Sequence, residues 1–118
     1  MEHKRTNYSS GAPLEEKVGY SRMVKIDDQV FIGGTTSVQP DGSDYGVLLA
    51  NVGAGARDVY RVDYFVTDMA YGADVGRAYS ETFHDVKPLC TGMAIKSLNR
   101  PTQLVEIELA AMVHTVLE

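Results

Sequence analysis

From Val59 to Thr67 the chain alternates with a period of two: Tyr60, Val62, Tyr64 and Val66 share one parity, Arg61, Asp63, Phe65 and Thr67 the other. That period, carried by β-branched and aromatic side chains, fits a pleated strand with one buried face. The pattern returns near the end of the chain, where Val105, Ile107, Leu109, Ala111 and Val113 form an unbroken apolar face opposite Glu106 and Glu108. Glu, Leu and Ala also favour helix, but the parity is continuous and decides for a strand. A strand with one apolar face has to bury it in a larger sheet covered by other elements.

The remaining elements follow from the same reading. Met23-Val24-Lys25-Ile26 and Val30-Phe31-Ile32, separated by Asp27-Asp28-Gln29, predict a β-hairpin whose second strand ends at Gly33-Gly34. Gln39-Pro40-Asp41-Gly42 predicts a turn, because Pro presets φ and Gly accepts a positive one. Asp44 to Val52 reads as a short helix, closed by Gly53-Ala54-Gly55-Ala56. From Gly72 to Asp85 the period changes: Val75, Ala78, Tyr79, Thr82 and Phe83 fall on one helical face, and Pro88 stops the helix. Asp74 in the first turn and His84 in the last suit the helix dipole. Leu89 to Leu98 predicts a further strand, Asn99-Arg100-Pro101 a turn, and Leu104 to Val113 the last strand. The order β-β-α-β-α-β-β predicts an α+β fold, a layer of sheet against helices.

With 118 residues there is room for one domain. Residues 1–18 are polar and hold Gly and Pro, which predicts a flexible or loosely docked arm ahead of a single domain over 19–118. Met1-Glu2-His3-Lys4-Arg5 has no apolar stretch behind it, so no secretory leader is expected. One cysteine, Cys90, cannot form an internal disulfide, which fits a cytoplasmic protein. No apolar run has the length of a membrane span, so no membrane partner is expected. A net charge of −5 argues against a nucleic-acid partner, since a phosphate backbone is normally met by a basic patch. His3, His84 and His114 lack metal-ligand spacing, and the glycines of residues 53–56 lack the lysine and hydroxyl of a phosphate loop, so no metal or other cofactor is expected.

Four segments, in order and at compatible spacing, resemble the Rid family, also called the YjgF or L-PSP family. They are Gly19-Tyr20-Ser21, Val30-Phe31-Ile32-Gly33-Gly34, Phe65-Val66-Thr67-Asp68-Met69 followed by Val75 and Tyr79, and Val105-Glu106-Ile107-Glu108 with Ala110-Ala111. The resemblance implies a chorismate-mutase-like fold, a mixed sheet with helices on one face. It also implies a homotrimer whose sheets surround a central barrel, with small-molecule clefts between subunits. The activity it implies is hydrolysis of small enamines or imines to keto acids and ammonia. The family's older endoribonuclease label implies RNA cleavage, which the acidic charge here disfavours.

The sequence departs from the family at three points. Where the deaminases carry an arginine that holds the substrate carboxylate, Pro88-Leu89-Cys90-Thr91 places Cys90. A thiol cannot replace two parallel N–H donors, and losing a buried pair of that kind costs about 2–5 kcal/mol. The expected result is little or no action on 2-aminoacrylate-type imines and a substrate without the usual amino-acid-derived carboxylate, unless another cation such as Arg22 reaches the cleft. Gly76 stands in place of a family asparagine, and the segment 44–56 is shorter than the family's first long helix.

Candidate site residues follow from these matches, each beside a plainer role. Glu106 orients or activates water, or is a solvent-facing carboxylate on an amphipathic strand. Cys90 lines the cleft as a possible nucleophile, or is a small buried hydrophobe. Tyr20 closes over a ligand from a neighbouring subunit, or is a strand-edge aromatic. Gly33 and Gly34 bring backbone donors near a ligand, or form a bulge. Thr91 offers one hydroxyl beside Cys90. The expected function is an enamine- or imine-hydrolysing trimer with altered activity. The alternative is a trimer that binds a metabolite without catalysis, as a carrier, sensor or chaperone-like protein.

Overall fold

The computed structural model describes residues 1–37 and 45–118. Its strands are β1 (Arg5–Tyr8), β2 (Met23–Ile26), β3 (Gln29–Ser37), β4 (Val59–Val66), β5 (Leu89–Ala94) and β6 (Val105–Met112). They form one six-stranded sheet in the order β1-β2-β3-β6-β4-β5. Among the described strands only β4 and β5 run parallel, and their crossover carries a helix, as parallel neighbours require. The helices are α1 (Pro13–Val18), α2 (Tyr45–Asn51) and α3 (Gly72–Phe83).

The last strand is the centre of the sheet, as its parity demands. β6 pairs with β3 on one side and β4 on the other, so Leu109 stands beside both Ile32 and Val62. Val30, Ile32, Val62, Val66, Leu109 and Ala111 are buried on that face, and Leu49 of α2 with Val75 and Phe83 of α3 close over it. Burial of each such side chain contributes about 1.5–3 kcal/mol. Tyr79 and Phe83 stack along α3 with ring centroids 5.1 Å apart. Among the described residues the opposite face, carrying Phe31, Phe65, Glu108 and Met112, has no such helical cover, and both Phe31 and Met112 are exposed.

Three expectations are corrected. Residues 1–18 do not form a loose arm. β1 pairs with β2 over Arg5–Tyr8, and α1 follows. The Asp27 carboxylate accepts the Lys4 N–H (3.0 Å) and meets His3 Nδ1 (2.6 Å), which pins the start of β1 to the hairpin turn. These anchors lie in polar side chains, to which apolar periodicity is blind. Secondly, Gly33-Gly34 does not end its strand. β3 runs on to Ser37, with the register shifting between Ile32 and Thr35, so the glycines form a bulge inside it. Thirdly, β5 stops at Ala94 rather than Leu98. The short helix after residue 44 is present as α2, whereas Asp44 and the turn expected at Gln39-Pro40-Asp41-Gly42 lie outside the described residues.

Candidate functional site

Glu106 projects from β6 onto the open face of the sheet, opposite Phe65 of β4. It sits against the bulge. A Cβ placed on Gly34 would overlap the Glu106 carboxyl group, with Cγ only 3.2 Å away. A side chain at position 34 would therefore displace the carboxylate, so glycine is needed there for space. Among the described residues the Glu106 carboxylate has no hydrogen-bond or ion-pair partner, so its oxygens are free for water or a ligand.

Around Glu106 lies a cleft of about 720 Å³, within the usual size range for small-molecule sites. Leu14 and Val18 of α1 form an apolar wall. Tyr20, Arg22, Gly33 and Gly34 line a second side, and Asn99, Arg100 and Gln103 of the β5–β6 loop a third. The N-terminal segment is thus part of the site. Its position depends on Glu15, a buried carboxylate that accepts the Ser10 hydroxyl and the Ser10 N–H (3.2 Å to Oε1). These bonds hold the Glu15 carboxyl below the ordinary range, the Ser10 hydroxyl contributing most.

Arg22 is committed within the wall. Its Nη1 donates to the Gly34 carbonyl, and its Nη2 lies 3.8 Å from Glu15 Oε2. The Gly33 N–H donates to the Arg22 carbonyl (2.9 Å), so it is not available to a ligand.

Of the expected site residues, the cleft gathers Tyr20, Gly33, Gly34 and Glu106, but not Cys90 or Thr91. Cys90 pairs with Val62 and faces the helix-covered side near Tyr79, whereas Glu106 lies on the other side of the sheet. Cys90 lies on an exposed edge strand, yet partial desolvation of its sulfur against the sheet pushes the thiol up. Asp63 adds to the rise, and a hydrogen bond with Tyr79 offsets part of it. Thr91 faces the open side, beside Asp63.

A second acidic group lies on the same face. Glu108 pairs directly with Asp63 across β6 and β4. Asp63 is buried; Oδ2 accepts Arg61 Nε at 3.1 Å, and among the described residues Oδ1 has no hydrogen-bond partner. The Glu108 carboxyl is raised above its ordinary range, first by burial and then by the Asp63 charge, with Glu106 adding to it and Arg61 opposing. Sequence reading missed Glu15, Arg100 and the Asp63–Glu108 pair. The parity of 59–67 and 105–113 put both acids on polar faces, but only the register sets them opposite one another. Among the described residues, no three His, Cys, Asp or Glu side chains are grouped to hold a metal ion. None of the described helices is long and apolar enough to cross a membrane.

Fold and cleft together define a class: a small α+β protein with a mixed six-stranded sheet, helices over one face, and a carboxylate-bearing cleft at the edge of the other. The sequence profile of the endoribonuclease L-PSP family matches residues 11–113, and the chain belongs to that family. It is 34% identical to Rv2704 of Mycobacterium tuberculosis, described as a member of the YjgF/YER057c/UK114 family; the structures superpose with a TM-score of 0.87 over 93% of this chain and 100% of that one. It is 29% identical to an uncharacterized protein of Streptomyces coelicolor, covering 86% of this chain and 87% of that one. A YjgF-family protein of Neisseria meningitidis shares the fold, with a TM-score of 0.77 at 18% identity over 98% of both chains. The family and fold implied by the resemblance are thereby established.

Proposed function

We propose that this protein hydrolyses small enamines or imines in the Glu106 cleft. The observation that carries this reading is the free Glu106 carboxylate, seated against the Gly34 bulge inside a cleft of small-molecule size. In an imine, C=N is cleaved at the expense of one water. The Glu106 carboxylate takes a proton from that water as its oxygen adds to the imine carbon. The protonated carboxyl then returns the proton to nitrogen. In the resulting carbinolamine Glu106 takes the hydroxyl proton and delivers it to the nitrogen, so that the C–N bond breaks, the carbonyl forms and neutral ammonia leaves. An enamine enters the same route after protonation at carbon. Tyr20 closes the cleft over the ligand.

The working unit is a homotrimer in the cytoplasm. The open sheet face exposes Phe31 and Met112, and every residue of β5 is exposed, including Leu89 and Met93. Exposed apolar surface on that scale is usually covered by a partner. In such an assembly, the edge carrying Cys90 and Thr91 is available to approach a neighbour's cleft. The lone free thiol is consistent with a reducing compartment. Net charge of −5 opposes an RNA substrate.

A second reading, metabolite binding without catalysis, draws on Cys90 and Gly76 standing where the family's deaminases carry arginine and asparagine. One assay separates the two. Imines of small amino acids are generated in situ by an amino-acid oxidase, and ammonia release is followed with and without the protein. Acceleration lost on Glu106→Gln supports hydrolysis. Saturable binding of the keto-acid product with no acceleration supports the binding module.

A further inference from the structure

We propose that Arg100 is the anion anchor of the cleft, so that its ligands are small monoanions, carboxylates above all, with a neutral reactive carbon placed at Glu106. The proposal rests on the reading of the cleft as a substrate site and adds the residue that selects the charge.

The cleft wall contains two guanidinium groups and one free carboxylate. Arg22 is 18% exposed along its side chain, and its donors are turned to the Gly34 carbonyl and to Glu15. Its charge is largely offset by Glu15 before a ligand arrives. Arg100 is exposed, and among the described residues its guanidinium has no partner. Its backbone is nevertheless fixed. The Arg100 N–H donates to Gln103 Oε1 (3.0 Å), and the Gln103 N–H donates to the Arg100 carbonyl (3.0 Å). This reciprocal pair closes a tight turn just before β6, on the strand that carries Glu106.

Charge decides what such a cleft accepts. With Arg22 offset by Glu15, Glu106 alone would repel an anion, and among the described residues lining the cleft Arg100 is the cation left free to oppose it. A guanidinium presents two parallel N–H donors that match a carboxylate, and it keeps its charge at any physiological pH. Arg100 and Glu106 both line the cleft, which places a cation and a carboxylate around one ligand-sized space. Carboxylate recognition therefore does not have to be lost with Cys90. It is supplied from the β5–β6 loop on the face of the sheet that Glu106 occupies, whereas Cys90 points to the other face.

The test reads binding without turnover. 2-Oxobutyrate and its methyl ester, neither of which can be deaminated, are titrated calorimetrically into the wild-type protein, Arg100→Gln and Arg100→Lys. The expected result is acid bound in preference to ester, with Arg100→Gln weakening the acid about tenfold or more. Ester affinity stays unchanged, and Arg100→Lys gives an intermediate value. Equal affinity of Arg100→Gln and wild type for the acid overturns the proposal. So does equal weakening of acid and ester, or no saturable binding of the acid to wild type. Imine turnover is measured separately. A protein that binds the acid through Arg100 but accelerates no hydrolysis keeps the anchor and loses the hydrolase; the reverse result keeps the hydrolase and loses the anchor.

Discussion

Glu106 and Glu108 stand two residues apart on the same face of the same strand, yet their surroundings differ in kind. Glu106 meets a gap left by Gly34 and faces a cleft whose walls carry guanidinium groups. Glu108 faces a second carboxylate, Asp63, whose Oδ1 is buried and, among the described residues, without a hydrogen-bond partner. The difference lies in the neighbouring strands. β3 bulges beside Glu106 and opens space, whereas β4 runs in regular register past Glu108 and brings an acid opposite. One carboxylate is left free for chemistry. The other is held against a like charge, which favours its protonated form.

The largest expected effect comes from closing the gap. Gly34→Val forces the Glu106 carboxyl out of place, and a displacement of about 1 Å at a catalytic group costs about 10²-fold in rate. Because the group that must move is the far end of a flexible side chain, stability should change by no more than about 0.5 kcal/mol. Kinetics and thermal melts on one preparation check both, and a fully active Gly34→Val variant would break the distinction between the two glutamates.

A smaller effect sharpens the other side of the comparison. Glu108 has a raised carboxyl in the fold, so the folded chain binds its proton more tightly than the unfolded chain does. Its contribution to stability is fully present below the ordinary value of 4.5 and is lost as pH rises through the folded value. Glu108→Gln should therefore raise the stability at pH 7 by about 0.2–1 kcal/mol, the range for relieving like charges opposite one another on a sheet. Solvent screening of this half-exposed side chain favours the lower end. The gain should vanish in melts at about pH 4, where the wild-type carboxyl is already protonated. A gain that persists there would place its cause outside the charge pair.

The smallest effect belongs to the opposite side of the sheet. Cys90→Ser should leave turnover within about twofold, and thiol alkylation near neutral pH should be slow, because the raised thiol holds little thiolate. Rapid alkylation together with loss of turnover would return Cys90 to the chemistry.

The sequence made some of this legible and concealed the rest for physical reasons. The parity of Val105, Ile107 and Leu109 placed the central strand and set Glu106 on its polar face, because burial on one side imposes a period of two. The Val75 and Phe83 stripe placed α3 for the equivalent helical reason. Gly33-Gly34 was read as a strand end, since two glycines look the same whether a strand stops or bulges; the partner's register distinguishes them. α1 and β1 were missed because they are fixed by Glu15, Ser10 and Asp27, side-chain contacts between residues without periodicity. Arg22 was a candidate cation and does line the cleft, but its commitment to Glu15 became visible only in three dimensions. Arg100 passed as a turn residue, because nothing in a loop sequence reports which cleft it borders.

The account depends most on Glu106 being the reacting carboxylate and Glu108 not. Ammonia release from in situ imines, measured side by side for wild type, Glu106→Gln and Glu108→Gln at matched folded concentration, tests this directly. The account predicts a loss of about 10²-fold or more for Glu106→Gln and near wild-type turnover for Glu108→Gln. Equal turnover by both variants, or a loss confined to Glu108→Gln, would contradict it.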